Sequence, residues 1–256
     1  MWLEELIKKL IFTLEEVQEC FDNESRANYW IKRSIKKKQL QKVRNGLYAL
    51  VNPVTEKAYA DKLVIGSNIF DSGYLTYHSA LEYHGLANQD YEKVYVASQK
   101  RFDTFTHEGI SFERTKDPIE KGVDTIKSPH IIRVTDLERT VVDCIDNIER
   151  AGGVEQLVIA LFHIKKLDET KLLEYLTLYN KNILWQKTAY LLENFNQILR
   201  LPKEFFAECK KGVSKRIIYF LNDGTFGDAV YNDTWNIIAP RTFSFRTGRY
   251  FFDTYV

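Results

Sequence analysis

The chain has 256 residues, 45% of them hydrophobic and 28% charged, which is enough for one large or two modest domains and excludes a disordered chain. Five prolines and twelve glycines leave no low-complexity linker, and no run of about 18 apolar residues offers a helical membrane span, so no membrane partner is expected. The net charge is only +1, yet residues 25–55 hold eight basic residues and no acidic one, so this stretch carries +8 and the rest of the chain −7.

The chain opens with "WLEELIKKL", whose Trp2, Leu3, Leu6, Ile7 and Leu10 fall at helical spacing and predict a helix over 2–10. Glu4 and Glu5 interrupt the apolar run and no small-residue cleavage site follows, so it does not read as a targeting segment; a cytoplasmic protein is expected. Thr13 with Glu16 three residues on forms a capping box for a second short helix. Ser25 can cap a third, running to about Lys37. A strand "LQKV", the turn "RNG" and a second strand "LYALV" follow. Asn45-Gly46 between two apolar runs predicts a hairpin with a type I′ turn. Three helices and a hairpin in this order predict a winged helix-turn-helix over 1–55.

Beyond it, "EKAYADKLVIGSNIF" and "TYHSALEYHGLA" read as helices, the second ending at Gly85. Strands are expected at "KVYVAS", across "RFDTFTHEGISFERTK" with a turn at Glu108-Gly109, and at "HIIRVT". From Asp136 the pattern is helical: "DLERTVVDCIDNIE", "GVEQLVIALFHI", "DETKLLEYLTLYN", "ILWQKTAYLLENF" and "PKEFFAEC". The end returns to strands at "RIIYFL" and "WNIIAP", with a turn at "NDG" and a further strand at "TFSFRT" in a basic and aromatic tail. The fold class expected is α+β. Its C-terminal domain, 56–256, has a mixed α/β part (56–135), a mainly helical part (136–210) and a strand-rich end (211–256).

On a helix over 26–37, Ala27, Trp30, Ile31, Ser34 and Ile35 share one face, and Arg26, Tyr29, Lys32, Arg33, Lys36 and Lys37 the opposite one. An exposed face normally mixes signs and gains i,i+4 pairs. One with cations alone repels itself, which points to a polyanionic partner. The third helix of a helix-turn-helix enters the major groove. Arg26, Tyr29 and Arg33 are therefore expected near base edges and Lys32, Lys36 and Lys37 on phosphates. Lys42, Arg44 and Asn45 of the wing are expected on the adjacent backbone or in the minor groove.

Catalytic patterns are missing. "GSNIFDSG" begins like a nucleotidyltransferase site, but Asp71 has Gly73 where a second carboxylate is needed. Glu169-Thr-Lys171 and Glu208-Cys-Lys210 match a nuclease Glu-x-Lys only in helical segments, and "ERTK" from Glu113 has the wrong spacing. His78 and His84 are six apart, which on a helix turns them to different faces, against joint metal binding. Cys20, Cys144 and Cys209 are odd in number and scattered, against a disulfide framework or a zinc site. No catalytic residue, metal or cofactor is expected, and the chain is not read as an enzyme.

The stretches "RNGLYALVNP", "ADKLVIGSNIFDSGYLTYHSALEYHGLANQ", "VYVASQKR", "VTDLERTVVDCID" and "WNIIAP" come in an order that resembles the AbiEi-type antitoxins of abortive-infection (phage-defence) toxin–antitoxin systems. The resemblance spans nearly the whole chain. It implies that the winged helix binds operator DNA, as inverted repeats upstream of its own operon, and represses transcription. It implies further that the C-terminal domain neutralises a nucleotidyltransferase-like toxin. The alternative is a ligand-sensing winged-helix regulator with no toxin partner, which an apolar pocket with a few convergent polar groups would favour.

Overall fold

In the computed structural model residues 3–116, 119, 121–127, 130–221, 229–240 and 243 are described. They form a mixed α+β fold with eleven helices and twelve strands among the described residues. The chain divides into two compact units. The first comprises Met1–Ser79, Tyr91–Asp117 and Val123–Thr135; the second comprises Ala80–Asp90, Pro118–Gly122 and Asp136–Val256. Residue 55, the expected domain boundary, lies inside the first unit.

The first unit begins α1 (Leu3–Lys8), β1 (Ile11–Thr13), α2 (Leu14–Gln18), α3 (Glu24–Lys36), β2 (Leu40–Arg44) and β3 (Leu47–Leu50), with an antiparallel sheet ordered β1-β3-β2. The capping box is present: Thr13 N–H donates to Glu16 Oε2 (2.8 Å) and Glu16 N–H to Thr13 Oγ1 (3.2 Å). Leu6, Phe12, Val17, Ala27, Ile31 and Leu40 form the core, with Trp30 packed 6.4 Å from Phe12 and 6.0 Å from Phe21. Helix α1 is shorter than the 2–10 expected, because Leu10 turns to φ 62° and the chain enters β1. Helix α3 is capped by Asn23 rather than Ser25, Asn23 Oδ1 accepting from Arg26 N–H at 2.9 Å. Only Gly46 of the hairpin turn has positive φ (77°), so the turn is not type I′. A bulge between Lys42 and Arg44 supplies the extra twist instead.

The rest of this unit holds α4 (Lys62–Ser67), β4 (Tyr74–Leu75), the start of α5 (His78–Tyr83), β5 (Lys93–Ala97), β6 (Phe105–His107), β7 (Ile110–Thr115), β8 (Val123–Ile126) and β9 (Ile132–Thr135). Six strands make one sheet ordered β6-β7-β5-β4-β9-β8, in which β5 and β7 are parallel, as are β4 and β9. Helix α4 lies so close to this sheet that a Cβ on Gly66 would meet Val94 Cγ1 at 2.7 Å. Arg133 of β9 donates to the carbonyls of Gly73 (2.9 Å), Ser67 (2.8 Å) and Phe70 (3.1 Å), and Ser67 Oγ accepts from Arg133 N–H (2.6 Å). "GSNIFDSG" is thus a packed corner whose carbonyls face an arginine.

The second unit contains α6 (Leu137–Asp146), α7 (Val154–His163), α8 (Glu169–Tyr179), α9 (Asn182–Asn194), α10 (Asn196–Leu199) and α11 (Lys203–Gly212). A three-stranded sheet follows, ordered β10-β12-β11, from β10 (Ile218–Tyr219), β11 (Ala229–Asn232) and β12 (Ile237–Pro240). The start of α6 carries a buried ionic network. Arg139 Nε donates to Asp143 Oδ1 (2.6 Å), and its Nη1 donates to the carbonyls of Ile119 (2.8 Å) and Lys121 (2.6 Å). Tyr179 also donates to Asp143, and Tyr175 to Asp136 (2.6 Å). The expected "NDG" turn and the strand at "TFSFRT" fall outside the described residues apart from Phe243. Among the described residues no helix is long and apolar enough to cross a membrane.

Candidate nucleic-acid interface

Helix α3 turns its apolar stripe inward because Ala27, Ile31 and Ser34 are buried. The same rotation leaves Arg26, Tyr29, Lys32, Arg33, Lys36 and Lys37 exposed, Tyr29 by 65%. Lys36 is the last helical residue and Lys38 turns to φ 55°, so the helix stops before Lys38. Across the turn, Lys42 of β2 and Asn45 at the hairpin tip are also exposed.

These cations are not equivalent. Arg26 is paired on the surface with Asp22 (3.0 Å), one helical turn before it. Lys38 is paired with Glu56 (2.7 Å). Among the described residues Lys32, Arg33, Lys36, Lys37 and Lys42 make no ion pair.

Arg44 is placed apart from the rest. Its guanidinium carbon lies 5.1 Å from the ring centroid of Phe70, 5.5 Å from Phe102 and 5.6 Å from Phe105. Its Nη1 is buried with no hydrogen-bond partner among the described residues. Burial pulls the guanidinium pKa below its usual value, and Asp103 opposes that shift in part. The guanidinium stays charged, but held over three rings it is turned to them and away from a phosphate. Strand β2 is fixed a second way: Glu108 Oε1 accepts from Gln41 Nε2 (2.6 Å) and from Ala58 N–H (2.7 Å). These partners could not be read from the wing itself. The one local signal is the aromatic "RFDTF", which reads first as strand chemistry.

The other titratable groups singled out in the sequence are placed as follows among the described residues. His78 is 2% exposed, its Nε2 is 2.7 Å from the Lys93 carbonyl oxygen, and its ring stacks 4.3 Å from Tyr91. Burial raises the pKa of both Cys144 and Cys209, the latter to about 12, so neither thiol is activated. Glu169 and Lys171 lie on α8, and Glu208 and Lys210 on α11, which keeps these pairs off a strand. Among the described residues no group of three or more His, Cys, Asp or Glu is placed to hold a metal ion.

No protein-family model matches the chain, and no curated protein matches its sequence. Its fold is similar to that of the RV2827C protein from Mycobacterium tuberculosis, known from a crystal structure. The TM-score is 0.64 at 14% sequence identity, over 90% of this chain and 86% of that one. At that identity the likeness is one of fold alone.

Proposed function

We propose that this chain is a DNA-binding autorepressor and antitoxin of a bacterial abortive-infection system. The order α1-β1-α2-α3-β2-β3, with its sheet order β1-β3-β2, supports reading this part as a winged helix-turn-helix. In this reading α3 is the recognition helix and the β2–β3 hairpin the wing. The observation that carries the reading is the row of exposed cations Lys32, Arg33, Lys36, Lys37 and Lys42, without an ion pair among the described residues, beside the exposed Tyr29. Tyr29 and Arg33 approach bases, Lys32, Lys36, Lys37 and Lys42 hold phosphates, and Arg26 and Asn45 lie at the margins. Arg44 positions the wing and does not touch DNA.

Neutralisation of a nucleotidyltransferase-like toxin by the rest of the chain rests on the sequence resemblance. It is tested by co-expression with the toxin gene expected to adjoin this one: failure to restore growth removes this half of the proposal. DNA binding is tested by duplex affinity against salt. The four phosphate contacts give a slope of log affinity against log salt of roughly −3 to −4, and a flat dependence rejects the interface.

A further inference from the structure

An open hollow of about 710 Å³ lies beside α3 within the first unit, in the range of about 300–1,000 Å³ usual for small-molecule sites. Its walls are mainly apolar. Trp30 comes from α3, Leu40 and Leu50 from the paired strand ends, and Ile7 and Tyr59 from the rim, where they are 40% and 50% exposed. Its polar groups are Ser34 in the last turn of α3 and Lys37, Lys38, Gln39 and Glu56 beyond the end of the helix. Ser34 is only 6% exposed yet lines the hollow, and its hydroxyl has no partner among the described residues. Lys37, one turn further, lines it too and makes no ion pair among the described residues.

The outer wall is a built turn. Asn52 Oδ1 accepts from Val54 N–H (2.9 Å), Val51 bridges Ala58, and the Lys38–Glu56 pair ties the turn to the end of α3. A helix C-terminus ordinarily disfavours an anion, because its last carbonyls point at the ligand. Here the carbonyls of Arg33, Ser34 and Ile35 already accept from the N–H groups of Lys37, Gln39 and Lys38 at 2.9–3.0 Å. The free ammonium of Lys37 therefore sets the local charge.

The geometry points to an effector site for a small amphipathic carboxylate, its apolar body between Trp30, Leu40, Leu50 and Tyr59 and its carboxylate on Lys37 and the Ser34 hydroxyl. The regulatory half of this inference rests on the reading of α3 as the DNA-contacting helix. Lys37 is among the cations assigned to phosphate, so an occupied site competes for it. Ligand and duplex then weaken each other by the same factor.

The test uses the full chain and three probes, indole-3-acetate, 4-phenylbutyrate and octanoate, each beside its neutral amide, in calorimetric titrations. The carboxylates bind, and the amides bind about tenfold more weakly for want of the charge-assisted contact. Ile7→Glu puts a like charge at the rim and Tyr59→Ala removes a wall; each weakens indole-3-acetate about tenfold and leaves duplex affinity unchanged without the probe. Saturating indole-3-acetate flattens the salt slope of duplex binding by about one. The site is overturned if none of the three carboxylates binds, if Ile7→Glu leaves binding intact, or if sedimentation shows a second copy covering the hollow. A probe that binds with unaltered duplex affinity overturns the coupling. A chain that binds the probes in the expected manner and no duplex under any salt removes the DNA reading and leaves the site standing.

Discussion

Replacing Arg44 by Ala separates the two jobs open to a cation in this region. The guanidinium lies over three rings at 5.1–5.6 Å, and a desolvated cation–π contact contributes about 1–2 kcal/mol. Against that stands Nη1, buried with no partner among the described residues, and a buried donor left unsatisfied costs about 1–3 kcal/mol. These two contributions roughly cancel, so the space left among the three rings decides the sign, and truncation lowers stability by about 1–2 kcal/mol. Arg44→Lys restores less than half of it, because a compact ammonium sits over one ring at a time. Urea titration followed by circular dichroism measures the loss, and duplex binding across a salt series measures the role. Arg44→Ala keeps the wild-type salt slope, whereas Lys42→Ala flattens it by about one. If Arg44→Ala flattens the slope as Lys42→Ala does, the guanidinium reaches a phosphate and its assignment to the aromatic cage is wrong.

Gly66→Ala places a Cβ 2.7 Å from Val94 Cγ1 and 3.1 Å from Leu75 Cδ2, both on fully buried side chains. It lowers stability by about 1–3 kcal/mol in a urea titration. Arg139→Met takes the cation from Asp143 and a donor from two carbonyls, in a site where both ionic side chains are at most 2% exposed. It costs about 3–5 kcal/mol, and adding Asp143→Asn recovers part of that loss by removing the uncompensated charge. Burial lowers the pKa of His107 in the folded chain, with Glu108 opposing. The unfolded chain therefore takes up the proton first as pH falls through about 6.5. His107 contributes nothing to the pH dependence when both states are neutral, and it destabilises the fold increasingly below that pH. Thermal midpoints of His107→Gln fall less than those of the wild type between pH 7.5 and 5.5; an equal fall rejects the assignment.

What was legible in the sequence is what neighbouring residues decide among themselves. The capping box at Thr13 and Glu16 formed because both partners lie within one helical turn. The end of α3 near Lys37 was legible too, and the last helical residue is Lys36. What was not legible depends on distant partners. Strand β1 is three residues long and exists because Ile11, Phe12 and Thr13 pair with Ala49, Tyr48 and Leu47. Strand β4 has two residues, and both its neighbours lie far along the chain. Arg44 looked like one more wing cation, because the three rings that enclose it follow β3 in sequence.

The same distance effect bears on where the proposed DNA-binding part ends. A fragment of residues 1–55 keeps every cation assigned to DNA and the whole core around Leu6, Phe12 and Ile31. It nevertheless takes Glu56 from Lys38, Glu108 from Gln41, and Phe70, Phe102 and Phe105 from Arg44. The exposed Lys38–Glu56 pair contributes little, about 0–1 kcal/mol. The aromatic cage and the Glu108 link contribute more, and their loss frees the wing strand on its outer edge. The fragment therefore binds duplex more weakly than the full chain with an unchanged salt slope, since the phosphate contacts are intact and only their positioning is lost. Restoring residues to 135 recovers the affinity. If the 1–55 fragment matches the full chain in affinity, the six-stranded sheet does nothing for the wing, and the contacts at Arg44 and Glu108 are packing alone.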